Sequence, residues 1–144
     1  MGIADLLAQK KAAQSEANLR AGQTFLDNNA QKQGVVRLPS GLQYEVIQMG
    51  DGPKPGLHNK VTCHYHGTLI DGTVFDSSVQ RQQPASFPLS AVIKGWTEAL
   101  QLMPTGSKWR LYIPPQLAYG DRQVSNQIGA NSTLIFEVEL ISFV

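Results

Sequence analysis

The stretch KVTCHYHGTLIDGTVFDSS, residues 60–78, predicts two β-strands joined by a tight turn. Val61, Cys63 and Tyr65 alternate with polar residues, which is the period of a strand that buries one face. Asp71-Gly72 stands between two apolar runs, and this dipeptide is a strong signal for a hairpin turn. The stretch therefore predicts an antiparallel hairpin rather than a helix or a βαβ unit.

Three further segments alternate in the same way, at residues 42–46, 109–113 and 134–140. Between residues 96 and 103 the apolar side chains instead fall at i, i+3, i+4 and i+7, which predicts a short amphipathic helix. Residues 77–86 are polar and contain a proline, so we expect a loop or bulge there. The sum is an α+β domain, with an antiparallel sheet of about five strands and one short helix covering its apolar side.

The composition changes near residue 34. Residues 3–32 contain no proline and many good helix formers, with only a thin apolar stripe, so we predict a long exposed helix docked on another surface. Gly34 is a suitable stop for that helix. We therefore divide the chain into an N-terminal helical extension, residues 1–34, and a folded domain, residues 35–144.

Composition and charge exclude several classes of protein. Twelve basic and eleven acidic residues leave a net charge of +1, too small for a protein that tracks phosphates, so we expect no nucleic-acid partner. No run approaches the roughly 18 apolar residues of a membrane span, so no membrane partner is expected either. The first twenty residues lack the apolar region of a signal peptide, and the lone Cys63 excludes an intrachain disulfide. These features predict a cytoplasmic protein.

Common catalytic and cofactor motifs are absent from the sequence, including GxGxxG after a strand, the P-loop, HExxH and paired CxxC. His64 and His66 share one face of a strand and could hold a metal, but two histidines fall short of a zinc site, so a solvated strand face is favoured. Cys63 lies on the apolar face and is favoured as inert core rather than as a reactive thiol. We expect neither a metal nor a cofactor.

Six aromatic residues stand near predicted strand ends, loop junctions or the helix start: Tyr65, Phe75, Phe87, Trp96, Tyr119 and Phe136. Aromatic side chains dominate any small core, so their spacing alone favours a packed core over an open pocket. Periodicity does not distinguish the two arrangements.

Five strings in order resemble the FKBP family of prolyl isomerases: His64-Tyr65-His66-Gly67, LIDGTVFDSS at 69–78, Val92-Ile93-Lys94-Gly95-Trp96, LAYG at 117–120 and STLIFEVELI at 132–141. The resemblance covers about residues 35–144. It is closest to the bacterial macrophage-infectivity-potentiator (Mip)-like branch and to cytoplasmic bacterial members. In those proteins a long helix precedes the catalytic domain, and residues 3–32 resemble its end.

The resemblance implies a bent antiparallel sheet wrapped around the short helix, with a site for peptidyl-prolyl cis-trans isomerisation between them. Three residues would be catalytic: Tyr65, Asp76 and Tyr119. The others would bind substrate, with Trp96 as the floor under the proline ring and the Ile93 N–H as a hydrogen-bond donor: Phe75, Phe87, Val92, Ile93, Trp96, Ile128 and Phe136.

The resemblance also implies the partners, namely proline-containing peptides, unfolded proteins, and the macrolides tacrolimus and rapamycin. A homodimer through the N-terminal helix is a further expectation. The alternative function is a chaperone-like protein-binding module whose isomerase activity is incidental. The loop at residues 121–131 departs from the family pattern, since it lacks the prolines common there.

Overall fold

The computed structural model describes residues 2–144. It contains three α-helices and seven strands, with 3-10 turns at Leu89–Ala91 and Pro115–Leu117. The elements are α1 (Ile3–Asn29), β1 (Val35–Arg37), β2 (Gln43–Gln48), β3 (Lys60–Leu69), β4 (Val74–Ser77), α2 (Ser78–Arg81), β5 (Ala85–Pro88), α3 (Lys94–Leu100), β6 (Lys108–Ile113) and β7 (Leu134–Phe143). Among residues 2–144, no helix has the length and apolar character needed to cross a bilayer.

The strands form one antiparallel sheet in the order β1-β2-β6-β7-β3-β4, and β5 pairs with β3 at the end away from β4. The predicted α+β class is confirmed, although the sheet has seven strands rather than about five. The two additional strands, β1 and β5, are three and four residues long. Segments that short show no measurable alternation, and their partners define them as strands.

The loop predicted at residues 77–86 is wrong in part, because this segment contains α2 and the start of β5. The Ser77 hydroxyl caps α2 by accepting a hydrogen bond from the Gln80 N–H at 3.1 Å. The helix ends at Arg81, and Gln82 follows it with a left-handed φ of 57°. A single capped turn of four residues carries too few apolar positions to be seen as a helical period.

The core lies between the sheet and α3. Trp96, Ala99, Leu100 and Met103 of the predicted short helix are all buried in it, together with apolar residues of β3, β6 and β7. Burying each large aliphatic side chain contributes about 1.5–3 kcal/mol. Gly95 brings α3 close to β6, since a Cβ there would lie 2.7 Å from Ile113 Cγ2. This close approach sets the depth at which Trp96 sits beneath the sheet.

The long helix α1 lies against the domain through its second half. It ends at Asn29, three residues before the predicted end, and Gly34 follows with a φ of +91°. The Asn29 side chain is 1% exposed and donates through Nδ2 to Gln43 Oε1 at 2.9 Å. Phe25 contacts Tyr112, with ring centroids 6.0 Å apart. The predicted docked helix is therefore present, held at its carboxyl end by a buried amide pair.

Candidate active site

A cavity of about 470 Å³ opens between α3 and the sheet. Its volume falls within the roughly 300–1,000 Å³ of ligand pockets in general. All ten site residues expected from the sequence line it: Tyr65, Phe75, Asp76, Phe87, Val92, Ile93, Trp96, Tyr119, Ile128 and Phe136. Four more residues contribute to the lining: Ala91, Val124, Ser125 and Gln127. The aromatic residues thus leave space open between them, which their spacing in the sequence does not show.

Trp96 lines this cavity, and the residue is 4% exposed. Three aromatic rings stand nearly perpendicular to the indole, with interplanar angles of 77° for Tyr65, 90° for Phe87 and 84° for Phe136. Their centroids lie 5.2–5.7 Å from that of Trp96, a favourable distance for edge-to-face pairs. The result is a flat floor with upright aromatic walls, which suits a small apolar ring.

A polar group stands at one wall of the cavity. The Tyr65 hydroxyl donates to Asp76 Oδ2 at 2.7 Å and accepts from Arg81 Nη2 at 2.9 Å. Arg81 also forms a salt bridge with Asp76, and its guanidinium carbon lies 5.7 Å from the centroid of the Tyr65 ring. These three side chains hold one another in place, so the Tyr65 hydroxyl keeps a fixed position at the cavity wall.

The protonation states of this group follow from its contacts. Burial by itself would raise the pKa of the Asp76 carboxyl, but the hydrogen bonds from Tyr65 and Arg81 outweigh it and lower the pKa below the usual 3.8. Burial raises the pKa of the Tyr65 phenol, and the bond to Asp76 adds to that effect. At neutral pH Asp76 is therefore an anion and Tyr65 keeps its proton. The pair thus places a carboxylate and a phenol O–H at the cavity wall.

A change of Asp76 to asparagine tests this electrostatic arrangement through acid stability. The folded-state pKa of Asp76 lies below the unfolded value, so the carboxylate stabilises the native state above the unfolded pKa and loses that effect as pH falls through the folded pKa. We expect Asp76→Asn to lower the free energy of unfolding at neutral pH and to approach the wild type in strong acid. Urea denaturation across this range measures the difference.

Asp27→Asn, at an exposed position of α1, is the matched control and should follow the wild type throughout. A constant difference between Asp76→Asn and the wild type at every pH would contradict the lowered pKa.

The two residues expected from the sequence to donate hydrogen bonds, Ile93 and Tyr119, also line the cavity. The Ile93 carbonyl accepts from the backbone N–H of Trp96 at 3.0 Å and of Thr97 at 3.1 Å, whereas its own N–H has no backbone acceptor among residues 2–144. Tyr119 follows the 3-10 turn Pro115–Leu117 and stands at the cavity rim, 38% exposed. Both residues thus belong to the cavity lining, and the backbone of residues 2–144 does not engage the Ile93 N–H.

The sequence did not indicate Arg81, because residues 77–86 were expected to be a loop without a defined direction. In the structure α2 turns that segment, so that Arg81 faces Tyr65 across the hairpin. A capping serine followed by an arginine at the end of one helical turn is the only signal that could have pointed to it. That signal is weak, since the same pattern occurs on many exposed turns.

The two histidines lie half-buried on one face of β3, and each contacts a serine, rather than forming a solvated strand face. His64 Nδ1 lies 2.9 Å from Ser78 Oγ, and His66 Nδ1 lies 2.8 Å from Ser77 Oγ. The part of the chain that the structure describes contains no group of three or more histidine, cysteine or acidic side chains placed to hold a metal. Cys63 is fully buried, and burial raises the pKa of its thiol to about 12. Its predicted place in the core is confirmed.

Two family models match the chain. The model described as FKBP-type peptidyl-prolyl cis-trans isomerase matches residues 51–141, and the one described as the domain amino terminal to it matches residues 2–46. The chain is 54% identical over 141 residues to Outer membrane protein MIP of Legionella longbeachae, covering 96% of this chain and 60% of that protein. It is also 54% identical over 126 residues to the FKBP-type 22 kDa peptidyl-prolyl cis-trans isomerase of Escherichia coli, covering 88% and 61%.

Solved structures agree with these matches. The crystal structure of FkpA from Escherichia coli superposes with a TM-score of 0.91 at 41% identity, over 94% of this chain and 63% of that one. A peptidyl-prolyl cis-trans isomerase from Pseudomonas syringae pv. tomato superposes with a TM-score of 0.83 at 44% identity, over 90% and 95%. The chain spans 54–61% of the length of the first three curated relatives.

The cytoplasmic location expected from the sequence is wrong. A relative that is 54% identical over most of this chain is named Outer membrane protein MIP. The expectation came from globular composition and from the first twenty residues. Packing of a folded domain is the same in either compartment, so composition does not carry this information.

Proposed function

The chain belongs to the FKBP-type peptidyl-prolyl cis-trans isomerase family, and on this premise we propose that it accelerates rotation of X–Pro peptide bonds in the cavity above Trp96. The observation that carries the proposal is the arrangement of three upright aromatic rings around a flat indole. A proline ring is small, apolar and flat enough to lie on that floor. The substrates would be proline-containing peptides and unfolded proteins.

The chemistry of the reaction matches what the cavity contains. An X–Pro bond rotates over a barrier of about 18–20 kcal/mol because resonance gives its C–N bond double-bond character. Rotation breaks no σ-bond, so it requires neither a nucleophile nor a transferred proton. Tyr65 and Asp76 are held in fixed protonation states at neutral pH, which is compatible with such a reaction. The site therefore acts by binding and orientation.

We assign the residue roles as follows. The indole of Trp96 receives the pyrrolidine ring, while the Ile93 N–H and the Tyr119 hydroxyl donate to carbonyl groups of the peptide. Donors fixed before the reaction hold the peptide in the orientation in which its X–Pro amide can turn. The Tyr65–Asp76 pair stands beside the carbonyl of the rotating bond.

The energy required of these contacts is modest. Each tenfold gain in rate needs about 1.4 kcal/mol, so a thousandfold acceleration needs about 4 kcal/mol. A planar amide is more dipolar than a twisted one and loses more stabilisation when it leaves water, so an apolar cavity favours the twisted form. Two positioned hydrogen bonds and an apolar cavity are sufficient to lower the barrier by about 4 kcal/mol.

We also propose that tacrolimus and rapamycin occupy this cavity. Its volume of about 470 Å³ and its mainly apolar lining suit a ring that mimics proline. The walls Phe75, Phe87 and Phe136 would contact the macrolide, and Ile93 would donate to it as to a peptide. The loop at residues 121–131 determines how well the rest of a macrolide fits, because Val124, Ser125 and Ile128 line the same cavity.

The decisive measurement is a protease-coupled isomerisation assay on a short proline peptide, with tacrolimus titrated against the activity. Uncatalysed exchange takes roughly 10–100 s. We expect the rate of cis-to-trans exchange to rise above this background in proportion to protein concentration. Tacrolimus should suppress that increase with saturation. An unchanged rate, accompanied by suppressed aggregation of an unfolded protein, would favour the chaperone-like binding module instead.

A homodimer through α1 is a further proposal. Ile3, Leu6 and Leu7 are 77%, 50% and 54% exposed, and their spacing places them on one face of the helix. An apolar patch of this kind at the end of a long helix favours association with another apolar surface. Light scattering of the purified chain measures that association directly.

A further inference from the structure

The loop at residues 120–133, here called the overhanging loop, joins the 3-10 turn at Pro115–Leu117 to β7. It contains no helix or strand, yet it supplies Val124, Ser125, Gln127 and Ile128 to the cavity lining. The backbone–backbone bonds within residues 120–133 are three: the Asn131 N–H donates to the Gly120 carbonyl at 2.8 Å, and the Val124 and Ser125 N–H groups donate to the Ile128 carbonyl at 3.0 and 3.4 Å. An irregular segment with so few internal bonds needs an external support to keep one position.

Helix α1 provides that support. The Asn18 side chain donates through Nδ2 to the carbonyl of Ala130 at 2.9 Å. The Asn131 side chain donates through Nδ2 to Ser15 Oγ at 2.8 Å. Asn131 has a left-handed φ of 58°, a conformation that asparagine tolerates better than most residues. Two side-chain bonds therefore join the foot of the overhanging loop to one face of the helix.

Gly22 brings the helix and the loop into closer contact than any other residue would allow. A Cβ at position 22 would lie 2.3 Å from Thr133 Oγ1 and 3.2 Å from Thr133 Cβ. Glycine inside a helix costs about 1 kcal/mol relative to alanine. Such a cost is expected where two backbones must approach, and Ser15, Asn18 and Gly22 fall at i, i+3 and i+7 on one helix face. The face that touches the loop is therefore small and polar.

The contact between α1 and the overhanging loop is closely packed but buries little apolar area. Thr133 Oγ1 is buried without a hydrogen-bond partner among residues 2–144, and so is Asn29 Oδ1 further along the same helix. Buried oxygens without partners lower the net stability of a docked surface. A surface built only to anchor the helix would be more apolar. The arrangement is better suited to fixing a neighbour's position.

We infer that Ser15, Asn18 and Gly22 are positioning residues that hold the overhanging loop over the substrate cavity. They touch no substrate. They act through Ile128, which is 6% exposed and lines the cavity, and through the mouth residues Val124 and Ser125. This inference rests on the proposed isomerase function and deepens it, because it makes the N-terminal helix a determinant of how tightly a peptide is held.

The first test compares Gly22→Ala and Asn18→Ala with the wild type in the protease-coupled assay on a short proline peptide. Displacing one wall should weaken ground-state and transition-state binding equally, which raises KM and leaves kcat unchanged. We expect KM to rise about fivefold, the lower end of the range for coupling between separate sites. Gly22→Ala also raises helix propensity, so a rise in KM there is not explained by loss of the helix.

A second substitution checks that the contact itself is responsible. Thr133→Ala removes the hydroxyl that a Cβ at position 22 would meet at 2.3 Å, and leaves its own Cβ at 3.2 Å, a tight contact that a shift of a few tenths of an ångström relieves. Combined with Gly22→Ala it should restore KM to within about twofold of the wild type, because coupled neighbours are not additive. Asn28→Ala, an exposed asparagine of the same helix, is the matched control and should leave KM unchanged.

The methyl NMR signals of Ile128 give a readout that does not depend on catalysis. They should shift in Gly22→Ala and Asn18→Ala, and return in the double variant. If the wild type proves inactive, the proposed function fails while these signals still decide the positioning role. The inference would be overturned if the variants unfold at a lower temperature while their KM and their Ile128 signals stay unchanged. If Gly22→Ala does not fold, Asn18→Ala alone provides the test.

Discussion

Replacing Trp96 with alanine should lower kcat/KM on a proline peptide by about thirtyfold, the equivalent of about 2 kcal/mol of lost contact with an apolar ring. The reason is geometric. Trp96 is the shared edge-to-face partner of the Tyr65, Phe87 and Phe136 rings, so its loss removes the floor and one aromatic neighbour of each of these walls. Kinetics should be measured at a temperature where circular dichroism shows the variant to be folded.

Trp109→Ala is the matched control, because the two tryptophans differ chiefly in what they face. Trp109 is 3% exposed, stacks on Tyr44 with centroids 4.3 Å apart, and has an unpartnered indole N–H just as Trp96 does within residues 2–144. Both truncations should cost about 3–5 kcal/mol of stability. Only Trp96→Ala should lose turnover per folded molecule.

Equal turnover in both alanine variants would remove Trp96 from the site. If either alanine variant is too unstable to assay, the pair Trp96→Phe and Trp109→Phe replaces it. A phenyl ring leaves a smaller void in the core than alanine does, so these variants lose less stability. In that pair too, the Trp96 variant should have the lower turnover, although the two variants should differ less than the alanine variants do.

The sheet could be predicted from alternation because its central strands bury one face along their whole length. In β7, Leu134, Phe136, Val138 and Leu140 are all buried, and the residues between them are partly exposed. In α3 the apolar positions follow the helical period with the same clarity. β1, β5 and α2 could not be predicted, because three or four residues hold at most two apolar positions of any period and, unlike β4, none of them follows a recognisable hairpin turn.

The candidate site was indicated by residue strings rather than by periodicity. Aromatic spacing favoured a packed core, and only the order of five motifs suggested an open cavity. Local strings locate Tyr65 and Asp76 on the two strands of one hairpin, where they meet at 2.7 Å. They do not locate Arg81, whose direction depends on how α2 turns after β4.

The contact between α1 and the overhanging loop lies beyond sequence reasoning for a different reason. Asn131 and Ser15 are 116 residues apart, and neither stands in a segment with a diagnostic period. A small polar helix face is also typical of a solvated surface, so Ser15, Asn18 and Gly22 gave no signal of burial. Long-range polar contacts of this kind follow from the complete fold and not from any local pattern.

Gly67→Ala should lower both the stability and the kcat/KM of the protein, although it adds only one methyl group to the cavity wall. Gly67 lies in β3 opposite Phe136 of β7 and Asp76 of β4. A Cβ there would lie 2.7 Å from Phe75 Cζ and 2.8 Å from Phe136 Cε1, so both rings would have to move. Overpacking of this kind costs about 1–3 kcal/mol. Because both rings line the cavity, we expect kcat/KM to fall by roughly tenfold or more, as for other small misplacements in an active site.

Gly56→Ala is the matched control for this substitution, since the nearest atom to a Cβ at position 56 is Asn59 Oδ1 at 3.5 Å, an ordinary contact. It should change neither the urea midpoint nor the kinetics, although it adds the same methyl group to the same domain. Rigid rings on both sides of Gly67 leave no flexible side chain that could yield, so stability and activity should fall together. Retention of full activity by a folded Gly67→Ala protein would mean that Phe75 and Phe136 can shift without affecting the substrate, and would remove them from the walls that hold it.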